Sequence, residues 1–445
     1  MLTFFNALDN LIWGPPLLIL LVGTGVYLSI RLGFLQILRL PKAFKFIFAK
    51  DEGEGDISSF AALATALAAT IGTGNIVGVA TAIKSGGPGA LFWMWMAAFF
   101  GMATKYAEGL LAIKYRTQDA NGDISGGPMY YIVNGMGKKW KPLAIFFALA
   151  GVLVAFFGIG TFSQVNSITS SLQSSFGLSP ALVSILIAVI VAFIIFGGIQ
   201  SISKVSEKVV PFMALVYIIA TLAVILMHYH NILPALAQVF KGAFTPAAAV
   251  GGFAGATIKE AIQKGIARGI FSNESGLGSA PIAAAAAKTN EPVEQGLVSM
   301  TGTFIDTLII CTLTGLSILV TGQWTIEGLE GAPLTQAAFA SVFGDVGSIA
   351  LTVSLVLFAF TTILGWSYYG ERCFEFLFGT KGIWIYRSIF VLMVAAGGFL
   401  KLDLIWVIAD IVNGLMALPN LIALLALSPI IIRETRSYFA KRQND

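Results

Sequence analysis

Two polar, glycine-containing segments interrupt long apolar stretches of this sequence. The first is Thr-Ile-Gly-Thr-Gly-Asn-Ile-Val-Gly at residues 70–78, and the second is Phe-Ser-Asn-Glu-Ser-Gly-Leu-Gly at residues 271–278. Hydrocarbon offers no water to free backbone groups, so unwound backbone survives at mid-membrane depth only where it lines a cavity or binds a ligand. A pair of such interruptions is typical of the substrate and ion site of a secondary transporter.

The first interruption predicts a binding site for a carboxylate. Its residues are poor helix formers or compete for backbone hydrogen bonds, namely Gly72, Thr73, Gly74 and Asn75. A helix that restarts near Asn75 would present free N–H groups and the positive end of its dipole, which suit the carboxylate of an amino acid. The alternative is a helix-packing surface formed by Gly74 and Gly78.

The helix before this interruption predicts a cation site. It should end between Ala68 and Ile71 and leave free carbonyls, which suit a small hard cation such as sodium. Thr361 and Thr362 lie in a later apolar helix, and their hydroxyls could complete the site. Hydrogen bonds from these threonines to the carbonyls of their own helix are the alternative.

The second interruption places Asn273, Glu274 and Ser275 between apolar flanks. A charge exposed at the centre of a bilayer costs on the order of 3 kcal/mol, so Glu274 should face protein or water. Glu274 could bind a cation, relay a proton, or act as a strut that accepts hydrogen bonds beside the unwound backbone. The residue types leave these three roles open.

Other polar residues fall within the apolar stretches. Gln164 could reach the amine or carboxylate of a ligand, or it could bond to another helix. Asp306 and Asp410 are functional candidates because ionisable residues inside membranes are costly, with a helix cap or an interhelical hydrogen bond as the alternative. Lys105 and Glu108 are three residues apart on one helix face and should pair with each other.

The composition predicts an all-α, multi-pass membrane protein. Of 445 residues, 57% are hydrophobic and only 11% are charged, whereas about a quarter of the residues of a soluble domain are charged. Apolar windows of about 20 residues, the length that crosses a bilayer, predict about eleven transmembrane helices. The net charge of +4 gives no indication of a nucleic-acid partner. We expect no enzyme activity, because the sequence shows no grouping of residues with catalytic or metal-ligand spacing.

Lysine and arginine predict the orientation of the chain in the membrane. They concentrate in every second connection and in the tail, where Arg433, Arg436, Lys441 and Arg442 lie. Because basic loops face the cytoplasm, the N-terminus should be outside and the C-terminus inside. Residues 1–57 would form an extra helix and an amphipathic cytoplasmic connection, and residues 58–445 a ten-helix transport core. The broken helices would be the first and sixth of that core, as in a five-plus-five inverted repeat.

Three strings connect the sequence with a known family. They are Ala-Thr-Ile-Gly-Thr-Gly-Asn-Ile-Val-Gly-Val-Ala at residues 69–80, Gly-Gly-Pro-Met-Tyr-Tyr at 126–131 and Ile-Phe-Ser-Asn-Glu-Ser-Gly-Leu-Gly-Ser-Ala-Pro at 270–281. Over nearly its whole length the chain resembles the alanine or glycine:cation symporter family. The resemblance implies a LeuT-type fold and sodium-coupled uptake of small neutral amino acids, chiefly alanine and glycine, across the cell membrane.

The resemblance also implies roles for particular residues. The substrate carboxylate would be held by Thr73, Gly74 and Asn75, and the ammonium by carbonyls around Phe271 and Asn273. Gln164 and Trp366 would shape the pocket. Co-transported sodium, the one cofactor that we expect, would bind at Ala68, Ile71, Thr361 and Thr362. We expect a monomer in the lipid bilayer, and the alternatives are a proton-coupled transporter that uses Glu274 or an ion channel.

Overall fold

The protein is mainly α-helical in a computed structural model that describes residues 2–49, 53–248, 253, 255–399 and 403–442. In chain order the α-helices are α1 (Leu2–Ile12), α2 (Pro15–Arg31), α3 (Leu35–Leu38), α4 (Leu40–Ile47), α5 (Ser59–Thr70), α6 (Val79–Gly86), α7 (Gly89–Lys114), α8 (Pro128–Tyr131), α9 (Lys141–Phe157), α10 (Phe162–Phe176), α11 (Pro180–Ile195), α12 (Gly198–Met227), α13 (Ile232–Phe244), α14 (Ile258–Asn273), α15 (Ala280–Ala284), α16 (Pro292–Thr303), α17 (Thr312–Thr321), α18 (Gly331–Phe343), α19 (Asp345–Phe378), α20 (Ile383–Ala396), α21 (Asp403–Ala426) and α22 (Ser428–Lys441).

Besides the α-helices, the described residues form three π-helical turns, four short 3₁₀ turns and one small sheet. The π-helical turns are Gly74–Gly78, Ile132–Met136 and Phe304–Cys311. Short 3₁₀ turns occupy Lys138–Trp140, Tyr229–Asn231, Gln323–Thr325 and Thr380–Gly382. Strands β1 (Thr117–Gln118) and β2 (Ile124–Ser125) are antiparallel, with Thr117 opposite Ser125.

Several helical stretches of the described chain are long and apolar enough to cross a membrane. Five qualify as single stretches: Ala7–Arg31, Lys138–Phe176, Gly198–Met227, Pro292–Thr321 and Asp345–Phe378. Two bent pairs also qualify, Ser59–Thr70 with Gly74–Gly86 and Asp410–Ala426 with Ser428–Lys441. The all-α, multi-pass architecture is therefore confirmed, while the predicted number of eleven spans stays a prediction.

The first predicted break interrupts the helix that α5 begins. Ser58 caps α5, because its hydroxyl accepts a hydrogen bond from the Ala61 N–H at 3.0 Å. The helix ends at Thr70, and the chain continues as the π-helical turn Gly74–Gly78 and then α6. The two halves are inclined to each other by 53°. The break lies where the glycines and polar residues predicted it.

The second predicted break follows α14. Thr257 and Glu260 form a reciprocal capping box at the start of this helix. The helix ends at Asn273, and Glu274 adopts a left-handed conformation with φ of 56°. Such a conformation costs an ordinary residue free energy, so it needs support from neighbouring groups. The short helix α15 begins at Ala280.

The broken helices pack at the centre of the molecule. Helix α5 contacts α12, α19 and α15, and α14 contacts α7 and α6. These contacts place both breaks in the protein interior. That the broken helices are the first and sixth of a ten-helix core stays a prediction.

The segment before α5 packs against the other helices. Helix α2 lies against α7 and α21, and α1 lies against α21. The Trp13 indole N–H donates to the Asp410 carbonyl at 2.9 Å. The division into residues 1–57 and residues 58–445 stays a prediction.

The chain just before the first broken helix contacts the chain just after the second broken helix. Ile57, just before α5, forms a parallel bridge with Ala287, just after α15. The Arg116 guanidinium donates to the carbonyls of Ala285 and Ala287 at 2.8 and 2.7 Å, and to those of Glu54 and Thr289. A single cation thus satisfies carbonyls that the end of α15 leaves free.

Candidate functional site

The predicted binding residues lie in the interior around the two breaks. All of them are buried: Ala68, Ile71, Thr73, Gly74, Asn75, Gln164, Phe271, Asn273, Thr361, Thr362 and Trp366. They come from α5 and its following turn, α10, α14 and α19. The structure therefore gathers residues that are up to three hundred positions apart in the chain.

The backbones of the two breaks approach each other at Gly74. A Cβ atom added to Gly74 would lie 3.1 Å from Ser272 Cα and 3.4 Å from Phe271 Cδ1. Only a residue without a side chain allows this approach without displacing a neighbour. The first break and the end of α14 thus share one site, as the prediction of a common substrate site requires.

The Asn75 side chain is used within the protein. Its Oδ1 accepts a hydrogen bond from the Gly72 N–H at 2.8 Å, and its Nδ2 donates to Asp306 Oδ1 at 2.7 Å. The Asn75 backbone N–H donates to the Gly72 carbonyl at 3.2 Å. Asn75 therefore shapes the first break and links it to the helix that carries Asp306.

Gln164 contacts the first break from α10. Its Nε2 donates to Thr73 Oγ1 at 3.2 Å, while its buried Oε1 has no hydrogen-bond partner among the described residues. A Cβ added to Gly72 would lie 3.6 Å from this Oε1. A buried acceptor without a partner is costly, so Gln164 Oε1 is suited to receive a donor from a ligand.

The two threonines of the predicted sodium site face different neighbours. Thr362 Oγ1 donates to the Ala68 carbonyl at 3.1 Å and to the Phe358 carbonyl at 3.0 Å. Thr361 Oγ1 instead bonds to carbonyls of its own helix, at Leu357 and Phe358. The structure thus brings Thr362 to Ala68 and turns Thr361 away, because neighbouring residues on a helix point about 100° apart.

Ile71 is fully buried in the break, and its N–H donates to the Leu67 carbonyl at 2.7 Å. It is thus still attached to the last turn of α5. Thr362 also lies against Gly72, since a Cβ on Gly72 would lie 2.4 Å from its Oγ1. Hydroxyl and carbonyl oxygens in this arrangement are the ligand type that a small hard cation prefers.

Glu274 is hydrogen-bonded at both carboxylate oxygens. The Trp366 indole N–H donates to Oε1 at 2.9 Å, and the Ser279 hydroxyl donates to Oε2 at 2.5 Å. Ser279 lies on the far side of the break and Trp366 on α19. These bonds support the left-handed Glu274 backbone, which favours the strut among the three roles that the sequence left open.

Asn273 completes the end of α14. Its Oδ1 accepts from the Ser275 N–H at 2.9 Å, and its Nδ2 donates to Thr307 Oγ1 at 3.0 Å. The side chain therefore closes the turn and attaches it to the neighbouring helix. The predicted ammonium site rests on backbone carbonyls near Phe271 and Asn273, and these side-chain bonds hold that backbone in place.

Asp306 is a central residue that the predicted site did not include. It is fully buried on the π-helical turn Phe304–Cys311. Its carboxylate accepts hydrogen bonds from Asn75 Nδ2, Ser272 Oγ and Thr307 Oγ1 at 2.7, 2.9 and 2.7 Å. The charge of Asp306 makes it a candidate, and the polar pair Asp306 and Thr307 within an apolar stretch is a further signal in the sequence.

Among the described residues Lys105 and Glu108 form no ion pair within 4 Å, so their predicted pairing is limited to electrostatic attraction at longer range. Glu108 Oε1 instead accepts from Asn420 Nδ2 at 2.6 Å and from the Gly276 N–H at 3.2 Å. The Glu108 carboxylate therefore bonds to the unwound backbone at Gly276. The spacing of residues along one helix does not predict this contact with a distant segment. Lys105 lines a cavity of about 20 Å³ beside Asn273.

Comparison with known proteins identifies the family of the chain. The family model described as the sodium:alanine symporter family matches residues 1–445. An uncharacterized transporter of Haemophilus influenzae is 58% identical over 99% of this chain and 96% of its own length. The sodium/alanine symporter AgcS of Methanococcus maripaludis is 52% identical over 99% of this chain and 98% of its own length.

A solved structure shares the fold at low sequence identity. The crystal structure of MhsT in complex with L-phenylalanine matches with a TM-score of 0.59 and 12% identity, and the match covers 86% of this chain and 98% of that chain. The predicted LeuT-type fold is thereby confirmed. With the whole-length match to the family model and to its relatives, the conclusion is that this chain belongs to the sodium:alanine symporter family.

Proposed function

We propose that the protein is a symporter that uses an inward sodium gradient to take up small neutral amino acids, alanine and glycine, by alternating access. Membership of the family and the relative named as a sodium/alanine symporter support the class of reaction. The observation that carries the proposal is the close approach of the two helix breaks at Gly74 and Ser272. Unwound backbone in a membrane interior is maintained where it binds a ligand.

The first break would bind the substrate carboxylate. The N–H groups of Thr73 and Gly74, at the start of the helix that follows the break, would favour an anion. The Asn75 backbone N–H and side chain are engaged within the break, so its contribution would be to hold the shape of this backbone. Gln164 Oε1, which lacks a partner among the described residues, would accept a hydrogen bond from the substrate ammonium.

The second break and α19 would complete the substrate site. Carbonyls around Phe271 and Asn273 would bind the ammonium together with Gln164. Phe271 lies against Gly74, and Trp366 is fully buried and attached to Glu274. These two rings would leave space for a methyl group and exclude larger side chains by steric overlap.

Sodium would bind at the end of α5. The Ala68 carbonyl and the Thr362 hydroxyl are 3.1 Å apart, and carbonyls up to Ile71 would add further ligands. Thr361 would contribute less, because its hydroxyl is bonded to its own helix. Sodium at this position would join α5 to α19 and favour the ordered form of the break before the substrate binds.

Two alternatives receive less support from the geometry. A proton-coupled transporter would need Glu274 to release and take up protons, yet both of its oxygens are engaged by Trp366 and Ser279. An ion channel would need a continuous polar path, whereas the residues around both breaks are buried.

The proposed orientation has the N-terminus outside and the C-terminus in the cytoplasm, and the proposed active form is the monomer.

Uptake by the purified protein in liposomes tests the proposal. Labelled alanine is supplied with an inward sodium gradient, with choline in place of sodium at constant pH, and with an inward proton gradient alone. We expect concentrative, saturable uptake with sodium only. Equal uptake with choline would contradict sodium coupling, uptake driven by protons alone would favour the proton-coupled alternative, and flux that does not saturate would favour a channel.

A further inference from the structure

A basic cavity lies between the N-terminal segment and the C-terminal helix. Its volume is about 500 Å³, and it is lined by the end of α2, by α3 and by α22. Three arginines line it, Arg31, Arg39 and Arg436, and the described residues around it include no acid. The apolar span Ala7–Arg31 ends at this cavity, so the cavity lies where hydrocarbon gives way to water. In the proposed orientation this is the cytoplasmic face.

The positive charge of this cavity is not neutralised within the protein. None of the three arginines forms an ion pair within 4 Å among the described residues. The acids of the neighbouring helices are engaged elsewhere, since Glu434 pairs with Lys114 at 3.0 Å and Glu294 pairs with Arg442 at 2.8 Å. Residues 31–47 include four basic residues and no acidic residue. The cavity is therefore suited to an anion.

An aromatic ring of α22 holds two of the cations in place. The Arg39 guanidinium lies 4.4 Å from the centroid of the Phe439 ring, and Lys42 Nζ lies 5.3 Å from the same centroid. Such cation–π contacts fix the positions of the charges, and an arginine held in this way can bind a phosphate through two N–H groups. Burial and the charges of Arg442 and Arg39 lower the pKa of Lys42. A bound anion would relieve this repulsion.

Exposed aliphatic side chains border the same cavity. Ile30 and Leu38 line it, and they are 61% and 70% exposed. Phe34 and Ile37, which lie between them in the sequence, are exposed as well. A soluble anion would leave this apolar surface in water, whereas an acyl chain at the membrane surface covers it. The basic and the aliphatic parts of the cavity together match the headgroup and the chains of a lipid.

We propose that this cavity binds an anionic phospholipid of the cytoplasmic leaflet. The lipid phosphate contacts Arg31, Arg39 and Arg436, and the acyl chains lie along Ile30 and Leu38. Basic pockets beside membrane helices recognise anionic headgroups by this combination of charge and depth. The lipid joins the segment α2–α4 to α22, and both of these parts pack against α7 and α16. The site therefore goes beyond the proposed symport and stabilises the assembly of the two ends of the chain.

Lipid titration of the purified protein tests the site. The protein in micelles of an uncharged detergent receives phosphatidylglycerol in one series and zwitterionic phosphatidylcholine in another, and the midpoint of thermal unfolding is measured. We expect phosphatidylglycerol to raise the midpoint and phosphatidylcholine to leave it unchanged. An equal rise with both lipids would overturn the proposal, because the arginines would then take no part in binding.

Paired substitutions assign the effect to this cavity. Arg39→Gln with Arg436→Gln should raise the mole fraction of phosphatidylglycerol that gives half of the rise by roughly thirtyfold, the effect of two basic residues at a membrane surface. Lys204→Gln with Lys208→Gln is the matched control, because it removes two exposed charges of α12, which the proposed orientation assigns to the same face. Equal mole fractions for the two double variants would place the lipid elsewhere and overturn the proposal.

The aliphatic side of the cavity distinguishes a lipid from a soluble phosphate compound. Leu38→Asn changes an exposed residue, so the variant should fold normally but require more phosphatidylglycerol than the natural protein. Glycerol 3-phosphate, which carries the anion without the chains, should not raise the unfolding midpoint at the same concentration. If it raises the midpoint as phosphatidylglycerol does, or if Leu38→Asn leaves the lipid titration unchanged, the lipid site is excluded. Sodium and alanine enter none of these measurements, so failure of the site leaves the proposed symport intact.

Discussion

The Trp366 indole N–H donates a hydrogen bond to Glu274 Oε1 at 2.9 Å, which joins α19 to the left-handed residue at the second break. The other carboxylate oxygen is held by Ser279. Both hydrogen bonds favour a role for this buried glutamate as a support for the unwound backbone. The proposed role of Glu274 therefore depends on this contact.

Substitution of Glu274 distinguishes a strut from a proton carrier. Glu274→Gln keeps an acceptor for Trp366, so we expect reduced but sodium-coupled uptake with the pH dependence of the natural protein. Glu274→Ala removes both bonds and should reduce uptake much more, since buried groups left without partners cost about 1–3 kcal/mol each. Alanine uptake is measured across a range of external pH for the natural protein and both variants. If the uptake by Glu274→Gln no longer depends on pH as that of the natural protein does, the role of Glu274 as a strut is contradicted.

The two threonines of α19 should differ in their effect on sodium. Thr362→Ala should raise the sodium concentration for half-maximal uptake by about tenfold, because it removes a hydroxyl beside the Ala68 carbonyl, a loss of about 1.4 kcal/mol. Thr361→Ala is the matched control and should change it little. Sodium titration of alanine uptake measures both values, and a larger shift in Thr361→Ala would place the site on the other side of the helix.

Gly72 and Gly74 of the first break should not tolerate a side chain. Gly72→Ala should abolish uptake, because its Cβ would lie 2.4 Å from Thr362 Oγ1. Gly74→Leu should also prevent alanine binding, since the added side chain would overlap Phe271 and Ser272.

Gly78→Ala is the control for both substitutions, because its Cβ would meet no atom within 4 Å. Calorimetry with alanine in saturating sodium gives the affinities of all three variants. Near-normal alanine binding by Gly74→Leu would mean that this segment only packs against its neighbours.

Size selectivity should depend on the two buried rings. Trp366→Ala should let larger neutral amino acids compete with alanine, because it removes a wall of the proposed pocket. Trp366→Phe keeps a ring but loses the N–H that reaches Glu274, so it should lower the uptake rate while preserving selectivity. Competition by a panel of amino acids measures the profile, and an unchanged profile in folded Trp366→Ala would exclude it from the pocket.

The Arg116 contacts should stabilise the protein. Arg116→Met removes four hydrogen bonds to carbonyls, including those of Ala285 and Ala287 at the end of α15. We expect a loss of at least about 2 kcal/mol and a lower midpoint of thermal unfolding, because bonds from a charged donor are stronger than neutral ones. Lys139→Met, at an exposed position, is the control, and equal midpoints for both variants would contradict the prediction.

The sequence by itself determined where the helices break. Glycines and polar side chains at residues 70–78 and 271–278 weaken a helix wherever they stand, so this information is local and readable from residue types. The long motifs around them also identified the family, and with it the LeuT-type fold. Membrane insertion likewise follows from composition, because it depends on the total apolar length of each segment.

Only the tertiary structure decided which polar groups meet. Thr361 and Thr362 are equivalent in the sequence, and the rotation of α19 against α5 turns just one toward Ala68. Glu108 faces the unwound backbone at Gly276 instead of Lys105, and Asp306 joins both breaks through Asn75 and Ser272. These partners lie far apart in the chain, and their choice depends on helix packing, which local residue patterns do not encode.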